Sequence, residues 1–183
     1  MIDVPTGRVL VWDRAVRVLH WTLVASVGLS ALSLLDALGM PGWHRPAGYV
    51  ALGVALLRIV WGLIGRGHAR FAQFVRSPSV TLNYLRLLLR RREPRLLGHN
   101  PLGAWMILAL MACVSALACT GWLYTTDMFW GSEAVEDLHR AMAWMLLALV
   151  SLHVAGVIFT SIRHRENLIK AMIDGRKAAL EER

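Results

Sequence analysis

Residues 138–162 read LHRAMAWMLLALVSLHVAGVIFTSI and carry two histidines, His139 and His153, fourteen positions apart. At about 100° per residue this separation is within roughly 40° of four full turns, so both imidazoles project from one face of a helix, about 21 Å apart. Residues 141–152 between them are apolar or small, and the stretch is long enough to cross a bilayer. Because an unsatisfied polar group is costly in hydrocarbon, both histidines need partners elsewhere in the chain.

The chain as a whole has the composition of an integral membrane protein. Of its 183 residues, 56% are hydrophobic, which exceeds the share typical of soluble domains. Three further apolar stretches precede residues 138–162. We predict an all-α four-helix bundle of up-down-up-down topology, forming a single membrane domain over residues 1–183 with spans at about 16–35, 44–64, 101–124 and 138–162.

The net charge of +8 is distributed very unevenly. Seventeen basic residues lie in the N-terminal lead, in segment 65–100 and in the tail from residue 163, whereas the opposite side of the predicted bundle carries only Arg45 and Arg140. The excess of positive charge on cytoplasmic loops therefore predicts that both termini and the middle segment are cytoplasmic. No nucleic-acid partner is expected, because no soluble domain is left to present the arginines to one.

Within the middle segment, Ser77 and Pro78 have the chemistry of a helix start, a capping hydroxyl followed by proline at the first helical position. Leucines interleaved with arginines follow. We predict an amphipathic helix that lies on the cytoplasmic membrane surface and contacts membrane lipids.

Four histidines fall at two matched depths of the predicted bundle. His20 lies near the cytoplasmic start of the first span, as deep as His153, and His44 lies at the outer start of the second, as deep as His139. Each pair offers the two opposed imidazoles that bind the iron of a porphyrin. A zinc site normally takes four protein ligands, and we expect neither histidine pair to have a third carboxylate or thiolate beside it. A lone histidine is more often a satisfied core residue, but four at matched depths favour haem.

Arg58 follows His44 by fourteen residues, so it shares that histidine's helix face at the depth of His20 and His153. A buried guanidinium requires an anion, and a haem propionate would provide one. The alternative is that the side chain extends to the cytoplasmic surface, since Arg58 is only about two turns from the helix end.

Several motifs between about residues 8 and 175 are specific in combination. They are Val11-Trp12-Asp13, Arg17 with His20 and Trp21, His44 with Gly48-Tyr49, Arg58 with Trp61-Gly62, Gly98-His99-Asn100-Pro101, Thr120-Gly121, Leu138-His139 and Leu152-His153. With them the chain resembles the bacterial cytochrome b561 family, which is similar to the b-type cytochrome subunits of nickel–iron hydrogenases and formate dehydrogenases. The resemblance implies a bundle with two haems b in the bacterial inner membrane. It also implies His20–His153 and His44–His139 as the axial iron ligands, with Arg17 and Arg58 as further cofactor-binding residues.

The same resemblance implies electron transfer between the quinone pool and a redox partner protein, either a periplasmic cytochrome or an oxidoreductase, and it leaves a homodimer open. By similarity to the larger subunits, His99 or Asn100 would bind a quinone at the start of the third span. The alternative for this motif is an ordinary helix cap by Asn100 before Pro101. His68 and His164 are interpreted as surface residues.

Two other functions compete with this interpretation. One is a superoxide:quinone oxidoreductase at the membrane surface, although the acidic outer loop would repel an anion. Whether the chain is an enzyme or an electron carrier is therefore open. The other is a bundle without cofactor, which would leave the four histidines without a role.

Overall fold

The computed structural model describes residues 7–35 and 39–179. Four of its helices are long and apolar enough to span a membrane, namely α1 (Arg14–Leu32), α2 (His44–Ile64), α5 (Pro101–Leu123) and α6 (Glu133–Arg163). They overlap the four predicted spans, and the described part of the chain is mostly helical, as predicted. The up-down order and the position in a bilayer stay predictions.

The last span begins earlier than predicted. Helix α6 starts at Glu133 rather than near residue 138, so the acidic connection predicted for residues 125–137 ends at Ser132. Glu133 and Glu136 lie in the first turn of the helix, where a negative charge is stabilised by the unpaired N–H groups. These two carboxylates therefore stabilise the start of α6, although the sequence analysis assigns them to the connection before it.

Between α2 and α5 the chain forms a short 3-10 turn (Gly67–Ala69) and two helices, α3 (Phe71–Phe74) and α4 (Pro78–Leu89). The Ser77 side chain accepts a hydrogen bond from the Val80 N–H, at 3.5 Å, and Pro78 occupies the first helical turn, which confirms the predicted helix start. Tyr84 is the buried residue of α4, while Arg86 on the same helix is exposed. The helix is thus amphipathic, and its location on the membrane surface stays a prediction.

Two short strands join the ends of the chain, which the sequence analysis did not predict. Strand β1 (Arg8–Leu10) pairs antiparallel with β2 (Arg176–Ala178), and Val9 is opposite Lys177. Helix α7 (Leu168–Asp174) precedes β2 and ends at Gly175, whose φ of +81° is a left-handed conformation that glycine favours. A Cβ at Gly175 would also lie 2.6 Å from the Trp12 carbonyl oxygen, so a larger residue does not fit there.

The chain divides into two compact units. Of the described residues, the terminal unit comprises 7–17, Trp61–Ile107 and 152–179. The central unit comprises Val18–Val60 and Leu108–Ser151. The core of the terminal unit contains Trp12 and Val16, against which Trp61 packs. The single membrane domain expected from the sequence stays a prediction.

Candidate cofactor site

His44 is the first residue of α2, at the end of a 3-10 turn (Pro41–Trp43). Its Nδ1 atom lies 2.9 Å from the carbonyl oxygen of Ser30 on α1, and the Ser30 hydroxyl donates to the His44 carbonyl oxygen at 3.1 Å. A carbonyl oxygen can only accept a hydrogen bond, so Nδ1 of His44 carries the proton and donates it. Its Nε2 is therefore left with a free lone pair.

His139 on α6 is held in a similar way by Thr120 on α5. The Oγ1 atom of Thr120 lies 3.0 Å from Nδ1 of His139 and donates its own proton to the Leu117 carbonyl oxygen at 2.9 Å. Because that proton is used, the hydroxyl oxygen accepts from Nδ1–H, and Nε2 of His139 also keeps a lone pair. The neighbouring Gly121 leaves space for the ring, since a Cβ there would lie 3.0 Å from Cε1 of His139.

The two imidazoles lie close to each other within the central unit. Their ring centroids are 6.1 Å apart and their planes are inclined by 75°. Two metal–imidazole bonds of about 2.0–2.1 Å place the ligating nitrogens about 4 Å apart. Adding a ring radius of roughly 1.1 Å on each side gives about 6.3 Å between centroids. The observed spacing and the two free Nε2 lone pairs thus fit an iron ion held between the rings.

A site for a bare metal ion does not fit this pair. Among residues 7–35 and 39–179, no group of three or more His, Cys, Asp or Glu side chains is arranged to hold a metal ion. Cys113 and Cys119 are free thiols, and the Cys113 thiol lies 3.5 Å from the Met142 carbonyl oxygen. Two imidazoles without a third ligand match a porphyrin iron, whose other four ligands come from the porphyrin.

The other two predicted iron ligands belong to different units. His20 on α1 lies in the central unit, half-buried, with its ring edge-on to Trp21 at a centroid distance of 5.1 Å. His153 on α6 lies in the terminal unit and is half-buried between exposed neighbours. Their pairing stays a prediction.

Arg58 is 8% exposed, on the same helix as His44. Such burial is not what a side chain extending to the membrane surface would show, so it favours an internal role for the guanidinium. Arg17 is placed differently, because its guanidinium donates to the backbone carbonyl oxygens of Asp13, at 3.4 Å, and Ile173. These contacts join α1 to α7, and the cofactor role predicted for Arg17 stays untested.

The predicted quinone motif has a structural role at one of its two residues. Asn100 Oδ1 accepts a hydrogen bond from the Gly103 N–H at 2.7 Å, which confirms the helix-cap alternative for Asn100. The His99 ring packs against Trp12 and Phe74, with centroid distances of 4.4 and 4.9 Å. A quinone contact stays a prediction for both His99 and Asn100.

Trp12 also explains a residue that the sequence analysis interpreted wrongly. His68 is half-buried rather than a surface residue, because its ring lies edge-on to the buried Trp12 at 6.5 Å. His164 is half-buried as well. Of these two histidines, only His68 has packing contacts of this kind in the described part of the chain, so it belongs to the packed part of the terminal unit.

Three functional roles in this arrangement were missed from sequence. Ser30 and Thr120 orient the histidines, and Thr120 was visible only as half of an unexplained Thr-Gly motif. Asp13 caps α1 by accepting from the Val16 N–H at 2.7 Å and also accepts from Trp61 Nε1 at 3.0 Å. The cap by Asp13 could be predicted from the sequence, because it involves only neighbouring residues. The contact between Asp13 and Trp61 could not, because these residues lie far apart in the chain.

Comparisons with known proteins agree with the geometry. The family model described as prokaryotic cytochrome b561 matches residues 11–175. The chain is 24% identical to the probable Ni/Fe-hydrogenase B-type cytochrome subunit of Rhodobacter capsulatus, over 96% of this chain and 83% of that protein. Proteins of the same description from Bradyrhizobium diazoefficiens and Azotobacter vinelandii are each 25% identical, over 92% and 96% of this chain and 85% and 90% of theirs.

Proposed function

Because this chain belongs to the prokaryotic cytochrome b561 family, we propose that it holds two haems b and transfers electrons between the quinone pool and a redox partner protein. Family membership makes it a membrane b-type cytochrome, in which the haem iron supplies the one-electron chemistry. The observation that carries the proposal is the pair His44 and His139, two imidazoles 6.1 Å apart whose Nδ1 atoms are both occupied as donors.

In the proposed site His44 and His139 would ligate the iron of one haem, which supplies the one-electron chemistry. Ser30 and Thr120 fix the tautomer and the rotation of the two rings, as partners of metal-bound histidines commonly do. Gly121 keeps space beside His139. In the neutral form of each imidazole the lone pair is then on Nε2, where it can ligate a metal.

A second haem would be bound by His20 and His153, which stand at matched depth in the predicted bundle. Arg58 would then neutralise a propionate, and its burial supports an internal counter-ion. With both termini cytoplasmic, as the arginine distribution favours, this haem lies toward the cytoplasmic side of the inner membrane.

For the quinone, His99 is the better of the two candidate residues. The side-chain oxygen of Asn100 is already used as a helix cap, so only its amide NH₂ would remain for a quinone carbonyl. His99 lies beside the aromatic rings of Trp12 and Phe74, which suit a flat ring in contact.

The partner is inferred from the relatives, which are described as cytochrome subunits of Ni/Fe-hydrogenases. We infer that this chain exchanges electrons with an oxidoreductase that docks at one end of the bundle. The superoxide alternative is not adopted, since no observation on the outer loop favours an anionic substrate.

Haem stoichiometry of the purified protein tests the proposal. Wild type should bind two haems per chain, and His139→Ala and His153→Ala should each bind one, while the control His164→Ala keeps both. If wild type binds no haem, the function is wrong. If His139→Ala keeps two haems, the assignment of ligands is wrong.

A further inference from the structure

A basic cavity of about 290 Å³ lies in the terminal unit, where α6 ends and α7 begins. Five cationic side chains line it, against the single carboxylate of Glu166. They are Arg8, Arg95, Arg165, Lys170 and Arg176. A cavity with this excess of positive charge selects an anion.

Part of this charge is already neutralised by the protein. Glu166 binds Arg95 at 3.1 Å and lies 3.9 Å from Lys177, and Asp174 binds Arg8 at 2.8 Å. The remaining three cations of the cavity form no ion pair in the part of the chain that the structure describes. They are Arg165, Lys170 and Arg176. Three positive charges therefore remain for a ligand.

Arg165 has an unusual backbone conformation, which it shares with Arg91 outside the cavity. The φ of Arg165 is +51°, a left-handed conformation that glycine or asparagine adopts much more readily than arginine. Glycine would adopt this backbone conformation at a lower energetic cost than arginine does. The cation is thus present at some conformational cost.

An apolar groove of about 320 Å³ adjoins the basic cavity and shares Arg165, Glu166 and Asn167 with it. Its apolar wall consists of Ile158, Ile162 and Ile169, and Ile162 is 74% exposed. Ile158 and Ile162 lie in the last two turns of α6, a helix long and apolar enough to span a membrane. Positive charge and apolar surface thus meet at the end of a spanning helix.

We propose that the cavity and the groove form a site for one anionic phospholipid. Its phosphate would lie among Arg165, Lys170 and Arg176, where a guanidinium can bind two phosphate oxygens at once. One acyl chain would follow Ile158 and Ile162 along α6. Basic pockets beside membrane helices on the cytoplasmic side recognise anionic headgroups in this way.

Native mass spectrometry of the detergent-purified, haem-loaded protein tests this site, with phosphatidylglycerol and phosphatidylcholine as probes. Wild type should retain one phosphatidylglycerol in preference to phosphatidylcholine. The variant Arg165→Gln/Lys170→Gln/Arg176→Gln should bind phosphatidylglycerol on the order of 100-fold more weakly, at about fivefold for each cation removed. Equal retention of the two lipids by wild type would overturn the proposal.

A matched control removes three exposed arginines of the terminal unit that lie outside the cavity and outside α4, as Arg66→Gln/Arg70→Gln/Arg76→Gln. This control variant should retain phosphatidylglycerol as wild type does. If both triple variants lose the lipid equally, the binding depends only on general surface charge and the proposal of a specific site is refuted. Arg165→Gly, which suits the left-handed backbone, should weaken lipid binding while the protein still folds. Unchanged haem absorbance in all variants separates this outcome from a failure of the proposed function.

Two further arms distinguish the lipid from a free anion. Ile162→Ser should weaken phosphatidylglycerol binding, because it removes part of the apolar wall. Inorganic phosphate should not displace the lipid, since it cannot use the groove. If phosphate displaces it and Ile162→Ser binds normally, the site is an anion site and the lipid proposal is wrong.

Discussion

Replacing Thr120 by valine should raise the potential of the haem held by His44 and His139. Valine has almost the shape of threonine but no hydroxyl, so Nδ1–H of His139 loses the acceptor that lies 3.0 Å away. A donated Nδ1–H makes the imidazole a stronger electron donor and stabilises oxidised iron more than reduced iron. Without that hydrogen bond the reduced form gains relative stability.

The size of the shift follows from the strength of the bond. A net hydrogen-bond contribution of about 0.5–1.5 kcal/mol corresponds to roughly 20–60 mV for one electron, at about 59 mV for each tenfold change. Affinity for the haem should fall by about 10–100-fold, as for other partners of metal-bound histidines. A redox titration followed by visible absorbance measures the first effect, and haem retention on dilution measures the second.

Thr126→Val is the matched control for this experiment. The Thr126 hydroxyl donates to the Leu123 carbonyl oxygen at 2.7 Å, as Thr120 donates to Leu117, but within residues 7–35 and 39–179 it makes no hydrogen bond to a histidine. Thr120→Ser should restore the potential, because it keeps the acceptor oxygen. If Thr120→Val and Thr126→Val give the same potential as wild type, the hydroxyl does not orient an iron ligand and the reasoning is wrong.

Two other predictions concern charges. Arg58→Leu should lower the reduction potential of the second haem, because a cation beside the haem disfavours its more positive oxidised state. An unchanged redox titration of that haem would show that Arg58 does not contact it. Neutralising Glu133, Glu136 and Asp137 together should slow electron exchange with a basic soluble cytochrome at low ionic strength and leave the haem spectrum unchanged. The same variant frees Arg140 from its ion pairs with Glu136 and Asp137, at 2.6 and 3.2 Å, so a superoxide reaction at this face would instead become faster.

The features that the sequence predicted are those set by local chemistry or by membrane depth. Ser77 and Pro78 predicted the start of α4 because capping needs only neighbouring residues. His44 and His139 were expected to lie close together, because each was predicted at the outer start of its span. In the structure their ring centroids are 6.1 Å apart. Because the bilayer has a fixed thickness, the position of a residue along a spanning helix determines its depth in the membrane.

The features that were missed depend on contacts between distant segments. Strands β1 and β2 have three residues each, too few for an alternating pattern, and Arg8 pairs with Ala178 at the other end of the chain. In the sequence Ser30 and Thr120 look like ordinary polar residues of apolar helices, and nothing local distinguishes them from the other serines and threonines there. Their role appears only when a histidine of the next long helix is placed beside them.

That role has a common pattern in the two halves of the central unit. Ser30 on α1 accepts from His44 on α2, and Thr120 on α5 accepts from His139 on α6, so each pair of consecutive long helices provides a histidine together with the group that orients it. In both cases the hydroxyl proton goes to a backbone carbonyl oxygen, that of His44 for Ser30 and that of Leu117 for Thr120, so neither hydroxyl donates to an imidazole. The Nε2 lone pairs are therefore fixed by the folded chain alone. A haem that binds here need not reorient either ring, and the cost of ordering the ligands is met during folding rather than on binding.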